Sequence, residues 1–317
     1  MRRVSGPYDT FVSDTRPIPL RLGHSPDPDD AFMWWPLFAL DGRPPRIDTG
    51  RFRVEPVTQD IETLNRRSLD GDLEITAISV AQYPHVKDIY AFTSCGSSMG
   101  DDYGPKLVSR EPMTIRDLAR PGVVIAVPGE RTSAFAALSL MLGRGAFQWD
   151  HVDFDRIIQA VSGGEHPVGL IIHEGQLTFA ESGLHQVIDL GHWWTDRTRL
   201  PLPLGGNVIR RDLEARHGPG TLGEITGLLA ASLEFALAHR PDSIAHALQF
   251  ARDMGADRAD RFVSMYVNKW TLDFGPRGRE AVRQFLREIH ALGLTGDPGE
   301  VDFIDPAERA AMTGKPG

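Results

Sequence analysis

Three segments of the chain gather side chains able to move protons or hold anions. Val168-Gly169-Leu170-Ile171-Ile172 reads as a buried strand, and His173 closes it, followed by Glu174 and Gly175. Of eleven histidines, this one joins a strand-end position to an adjacent Glu and Gly. An imidazole titrates near working pH, which suits proton transfer; a hydrogen-bonded core histidine is the other reading. Upstream, Gly23-His24-Ser25-Pro26-Asp27-Pro28-Asp29-Asp30-Ala31-Phe32 follows the first strand. Ser25, Asp27 and Asp29 would face a ligand there, at the carboxyl edge of a sheet, on a loop stiffened by two prolines. The competing reading is that Asp29 or Asp30 caps the helix of Phe32 and Trp35. The third segment, Pro128-Gly129-Glu130-Arg131-Thr132-Ser133-Ala134, precedes a helix carrying Leu138, Met141 and Leu142. A helix N-terminus at Thr132 and Ser133 offers free backbone donors and a positive dipole end, suited to a carboxylate. An ordinary N-cap at Thr132 gives the same pattern.

Other chemistries lack their signatures. No GxGxxG, phosphate-binding loop, HExxH or nucleophile elbow occurs, so nucleotide, zinc and triad chemistries find no support. His239 and His246 sit in a helical region without a second pair, so no metal set is expected. Cys95 is the single cysteine; it can form neither an intrachain disulfide nor a thiolate cage, and reads as a small buried hydrophobe. No cofactor is expected.

The elements that must position these residues read as α/β. Strands are expected at Leu20–Gly23, Phe52–Val57, Glu74–Ser79, Val123–Val127, Val168–Ile172 and Gln186–Leu190. Asp60 should cap a helix closing at Gly71. Thr221-Leu222-Gly223-Glu224 reads as a capping box, Pro241 as a first helical position with Gly255 at the C′ position, and Pro276 as the start of a helix ended by Gly293. Tyr103-Gly104-Pro105-Lys106-Leu107-Val108 and Leu200-Pro201-Leu202-Pro203-Leu204-Gly205-Gly206-Asn207 read as crossovers between lobes. They imply a mobile extension over residues 1–17, one discontinuous lobe from 18–108 and 205–317, and a second from 109–204, with ligand in the cleft between them.

Taken in order, these segments resemble the futalosine-pathway family of menaquinone biosynthesis, which includes 1,4-dihydroxy-6-naphthoate synthase and chorismate dehydratase. The similar stretches are the Ser25-Pro26 loop, Ile78-Ser79-Val80-Ala81-Gln82-Tyr83, Gly104-Pro105, Pro128-Gly129 with Thr132-Ser133-Ala134, and Ile172-His173-Glu174-Gly175. They continue through Leu200 to Gly206 and Tyr266-Val267-Asn268. The His-Glu-Gly and Leu-Pro-Leu-Pro-Leu-Gly-Gly segments favour the synthase branch. The resemblance implies an α/β fold of the periplasmic-binding-protein type II kind, two lobes with a cleft between them. It also implies a cofactor-free lyase that opens cyclic dehypoxanthinyl futalosine, with His173 as general base. Thr132 and Ser133 would hold the substrate carboxylate, Ser79 would contribute from the other lobe, and Gly205 and Gly206 would line the site. One segment departs from the family. Its loop reads Ser-Pro-Cys-Pro-Asn-Asp-Thr-Phe, and here Asp27, Asp29 and Ala31 replace the Cys, the first Asn and the Thr. His24 stands where an apolar residue is usual, and Pro36 should kink the helix after Phe32.

The composition fits a soluble globular chain with a small-molecule partner. Its 317 residues are 41% hydrophobic and 24% charged, within the usual globular range. A net charge of -9 repels a phosphate backbone, so nucleic acid is not an expected partner. The basic N-terminal residues Met1 to Tyr8 lack an apolar core, and the apolar stretch near Leu228 to Ala238 is broken by Ser232 and Glu234. A cytoplasmic location and no membrane contact are therefore expected; the oligomeric state is not legible. A cytoplasmic binding protein of the same fold and a chorismate dehydratase-like enzyme are the alternative functions.

Overall fold

The computed structural model describes residues 16–250 and 255–307. The extension expected up to Pro17 lies outside the described residues, apart from Arg16 and Pro17.

All six strand segments expected from apolar patterning form: β1 (Ile18–His24), β2 (Phe52–Thr58), β3 (Ile75–Ser79), β7 (Val124–Val127), β9 (Val168–Ile171) and β10 (His185–Asp189). Between them lie β4 (Tyr90–Thr93), β5 (Ser98–Gly100), β6 (Lys106–Ser109) and β8 (Gln148–His151), followed by β11 (Leu202–Arg210) and β12 (Phe303–Ile304). The strands form two sheets. One has the order β12-β4-β11-β3-β1-β2, with β5 also on β11, and the other the order β10-β6-β9-β7-β8. The first sheet thus takes strands from both ends of the chain, whereas the second takes only β6 to β10.

Both proline-marked stretches turn into strand. Lys106–Ser109 pairs with β9 and β10 in the second sheet, so that sheet begins at Lys106. Leu202–Arg210 runs antiparallel to β3 and β4 in the first. Pro203 has no N–H to give a ladder, and β11 tolerates it where the register to the short β5 shifts between Pro203 and Gly205.

Helices pack on these sheets by burying one stripe. Asp60 caps the Ile61–Ser68 helix through Thr63 N–H at 2.9 Å, and Gly71 follows in the left-handed region at φ 64°, as the sequence suggests. The Gly275–Ala291 helix buries Val282, Phe285, Leu286 and Ile289. Three expectations fail. Gly220, not Thr221, precedes the Thr221–Ala238 helix, and Thr221 Oγ1 instead donates to the Gly218 carbonyl, so no capping box forms. The helix with Pro241 stops at Ala247, and Gly255 is the N-cap of the next helix, Ala256–Tyr266; a glycine fits either end, and spacing alone could not choose. Thr221–Ala238 is long and apolar enough to cross a membrane by length and composition, contrary to the reading of Ser232 and Glu234 as breaks. Here Ile225, Leu229, Leu233 and Ala236 are fully buried, and Ser232 Oγ donates to the Met33 carbonyl at 2.7 Å.

Pro36 acts as expected. The Pro28–Trp34 helix gives way to a single 3-10 turn at Trp35–Leu37, because proline cannot donate back along an α-helix. That short helix carries Phe32 and Trp34 fully into the core and fixes the acidic loop before it. Cys95 is buried, and desolvation pushes its thiol up to about 12; it packs as an apolar side chain.

Candidate active site

The carboxyl ends of β1 and β3 in one sheet and of β7 and β9 in the other converge on one open cleft, with a cavity volume of about 120 Å³. Ser25, Asp27, Asp29, Ser79, Thr132, Ser133, Gly205 and Gly206 all line it. The antiparallel β11 reaches the same edge because Gly205 pairs with Ser79. Gly206 packs so closely on Phe92 and Phe274 that an added Cβ would lie 3.1 and 3.4 Å from their rings.

Ile172 lines the cavity and His173 is not among the lining residues; the imidazole is buried, with its ring edge-on to Phe154 at 5.6 Å. Its Nδ1 accepts the Gly175 N–H at 2.8 Å. A nitrogen that accepts a hydrogen bond carries no proton, so the neutral ring in this arrangement is protonated on Nε2. Gly175 is needed at this turn because a Cβ there would overlap the imidazole.

None of the three loop aspartates caps a helix. Asp27 occupies the N-cap position of Pro28–Trp34 without a side-chain cap, and its Oδ2 accepts the Ser25 hydroxyl at 3.0 Å. Asp30 folds back, and its Oδ2 accepts the Ser25 N–H at 2.6 Å. Burial raises the Asp30 carboxyl, while His24 and the Ser25 donors pull it down. Asp29 rises well above the usual carboxylate range, first through burial and then through Asp30 and Asp27. His24 is a support for this loop. Its Nδ1 lies 2.9 Å from the Ser25 carbonyl and its Nε2 lies 3.1 Å from Thr58 Oγ1. A carbonyl only accepts, so Nδ1 carries a proton and donates to it.

Thr132 corrects an expectation. Its Oγ1 accepts Phe135 N–H at 3.1 Å and donates to the Gly129 carbonyl at 2.8 Å, so the hydroxyl is spent on the N-cap of Ser133–Leu142. An anion at this helix end would meet the first-turn N–H groups of Ser133 and Ala134 instead. Ser133 Oγ also bridges the lobes by accepting Ala81 N–H at 3.1 Å. Gly129, at φ 152°, sits against the Glu62 carboxyl so closely that any side chain would overlap it.

Sequence reasoning missed the residues that hold or complete this site. Asn65 is fully buried. Its Oδ1 accepts Ser79 N–H at 2.8 Å, and its Nδ2 donates to Ser79 Oγ at 3.0 Å and to the Arg131 carbonyl at 3.4 Å. Asn65 therefore fixes Ser79 and reaches the opposite lobe at once. Tyr266 and Phe262 close another side, with Tyr266 O–H donating to Gln176 Oε1 at 3.0 Å. Tyr266 had a signal in its Tyr-Val-Asn segment; Asn65 had none, because it sits in an ordinary polar helix. Among the described residues no group of His, Cys, Asp and Glu could hold a metal ion.

Comparison with known proteins agrees with this geometry. A family described as menaquinone biosynthesis matches residues 20–291. A 1,4-dihydroxy-6-naphthoate synthase of Thermus thermophilus is 39% identical over 285 residues, which cover 90% of this chain and 99% of that relative. A crystal structure of a protein from Archaeoglobus fulgidus is 38% identical and superposes with a TM-score of 0.77 over 87% of this chain and 98% of that one. An alkanesulfonate-binding protein of Xanthomonas axonopodis pv. citri, 13% identical, shares the fold at a TM-score of 0.65 over 90% of this chain and 97% of its own. The architecture is that of the periplasmic-binding-protein type, with two lobes around a cleft.

Proposed function

The chain belongs to the menaquinone-biosynthesis family, and we propose that its cleft opens cyclic dehypoxanthinyl futalosine to give 1,4-dihydroxy-6-naphthoate. It is a lyase acting on a small molecule. The observation that carries this is the 39% identity to a naphthoate synthase over 99% of that relative. The cavity's polarity supports it. Ser133 and Ala134, in the first turn of a helix, line it from one lobe and Asp27 and Asp29 from the other. A substrate with a carboxylate at one end and hydroxyls at the other suits such a cavity. The carboxylate lies at the helix end, away from the aspartates, and Asp27 accepts from hydroxyls of the sugar-derived part.

His173 is the proton-transfer group in this proposal. Fragmentation driven by aromatisation needs an oriented substrate and a base that takes a proton as the carbon–carbon bond breaks. For Nε2 to serve as the base, the ring proton must sit on Nδ1, so the Gly175 contact must open. The lobes are read as discontinuous, one built from both ends of the chain and one from its middle. Turnover of the cyclic substrate by the purified chain, followed by naphthoate absorbance, tests the proposal.

A further inference from the structure

A second cavity, of about 430 Å³, lies between the two lobes and shares no wall residue with the cleft. Its volume falls in the range of small-molecule sites. Gln82 and His85, after β3, and Thr295, after the Gly275–Ala291 helix, line it on one side; Arg131, Phe135, Arg144 and Trp149 line it on the other. The Ser133–Leu142 helix serves both places, with Ser133 and Ala134 in the cleft wall and Phe135 and Ser139 in this one. Phe135 stands edge-on to Trp149 at 5.0 Å and tilted to Phe147 at 5.9 Å. All three rings are half-buried, which leaves aromatic surface open to a further ring. Arg131 Nη1 donates to Gln82 Oε1 across the lobes at 3.2 Å. The Arg144 guanidinium crosses too, lying so near Gly293 that an added Cβ there would be 2.7 Å from its Nη1. Glu130, an exposed side chain, is the only carboxylate among the described lining residues, so two arginines outweigh it and the cavity is net positive. Thr295 Oγ1 is buried with no hydrogen-bond partner among the described residues.

Aromatic surface beside guanidinium groups selects a flat ring that carries an anion. We propose that this cavity is a second ligand site, one that takes a planar aromatic carboxylate and ties the two lobes together. The ring packs on Phe135 and Trp149, the carboxylate accepts the forked N–H groups of Arg144, and the Thr295 hydroxyl gains a partner. A neutral ring would leave the guanidinium unused, and a small inorganic anion would leave the aromatic surface uncovered. The naphthoate of the proposed reaction belongs to this class; its being the natural occupant rests on that reading, whereas the site does not. Because its contacts come from both lobes, an occupant favours the arrangement in which they stand together. A bound naphthoate would thus restrain opening of the cleft without occupying it.

The test uses the purified full chain with 2-naphthoate as the probe and the tryptophan indole N–H resonances as the readout. Trp149 is the only one of the six tryptophans in the wall of this cavity, and its resonance is assigned by its loss in Trp149→Phe. It should shift saturably with 2-naphthoate. In Arg144→Glu, and with uncharged 2-naphthamide on the wild type, the midpoint should rise about tenfold or more, the scale of a hydrogen bond to a charged group. Arg144 is exposed, so this substitution leaves the core intact. A Trp149 resonance that stays fixed, or one that responds alike to the amide or in Arg144→Glu, would overturn the site. In turnover, 2-naphthoate should inhibit with a component that excess substrate does not relieve, and Arg144→Glu should remove it; purely competitive inhibition would refute the bridging role. The indole readout needs no turnover. A chain whose Trp149 responds but which makes no naphthoate counts against the proposed reaction and not against the site.

Discussion

Asp27 and Asp29 stand two residues apart and meet different surroundings. Asp27 already accepts the Ser25 hydroxyl at 3.0 Å. Asp27→Asn should weaken binding of the substrate by about 1–3 kcal/mol, the range for hydrogen bonds to charged groups, read as a rise in Kd by calorimetry. An unchanged Kd would remove Asp27 from the contact set. At His173 the expectation is kinetic. A positioned general base contributes about 10²–10⁴-fold, so His173→Ala should lose turnover on that scale while its unfolding transition stays cooperative. At this scale the sequence was informative about which residues meet and less so about what each does. Eight nominated binding residues line one cavity from its two sides, yet the Thr132 hydroxyl is consumed by a cap and His173 is not among the lining residues.

The elements explain why those roles could not be read from residue types. Thr132 was legible as an N-cap or as a ligand contact, and only the distances to Phe135 N–H and the Gly129 carbonyl decide for the cap. Thr132→Val should therefore destabilise the protein by about 0.5–2 kcal/mol, the cost of a lost N-cap, seen as an earlier urea midpoint. Thr132→Ser should restore the midpoint, since serine caps equally well. Strands with alternating or wholly apolar runs were legible, as β1, β3 and β9 show. β11 was not, because Pro203, Gly205 and Gly206 imitate a loop, and its place beside β3 comes from long-range pairing. Asn65 is the plainest case. Nothing local marks it, since its partners lie 14 and 66 residues away. Asn65→Leu would leave the buried Ser79 N–H unpaired, at a cost of about 1–3 kcal/mol. It should lower both stability and turnover, whereas an unaffected turnover would place Ser79 outside the reaction.

At the scale of the molecule, two sheets from interleaved parts of the chain put four strand ends around one cavity, and the polarity of that cavity matches a substrate with an acid at one end and hydroxyls at the other. The fold alone serves proteins that only bind, as the likeness to an alkanesulfonate-binding protein shows, so chemistry must be tested as chemistry. The most direct measurement gives the purified full chain cyclic dehypoxanthinyl futalosine, and chorismate in a parallel reaction, and follows naphthoate absorbance. The proposed activity predicts naphthoate from the first and no consumption of the second, with the His173→Ala signal reduced at least a hundredfold. Binding of the cyclic substrate without turnover, or dehydration of chorismate, would contradict it.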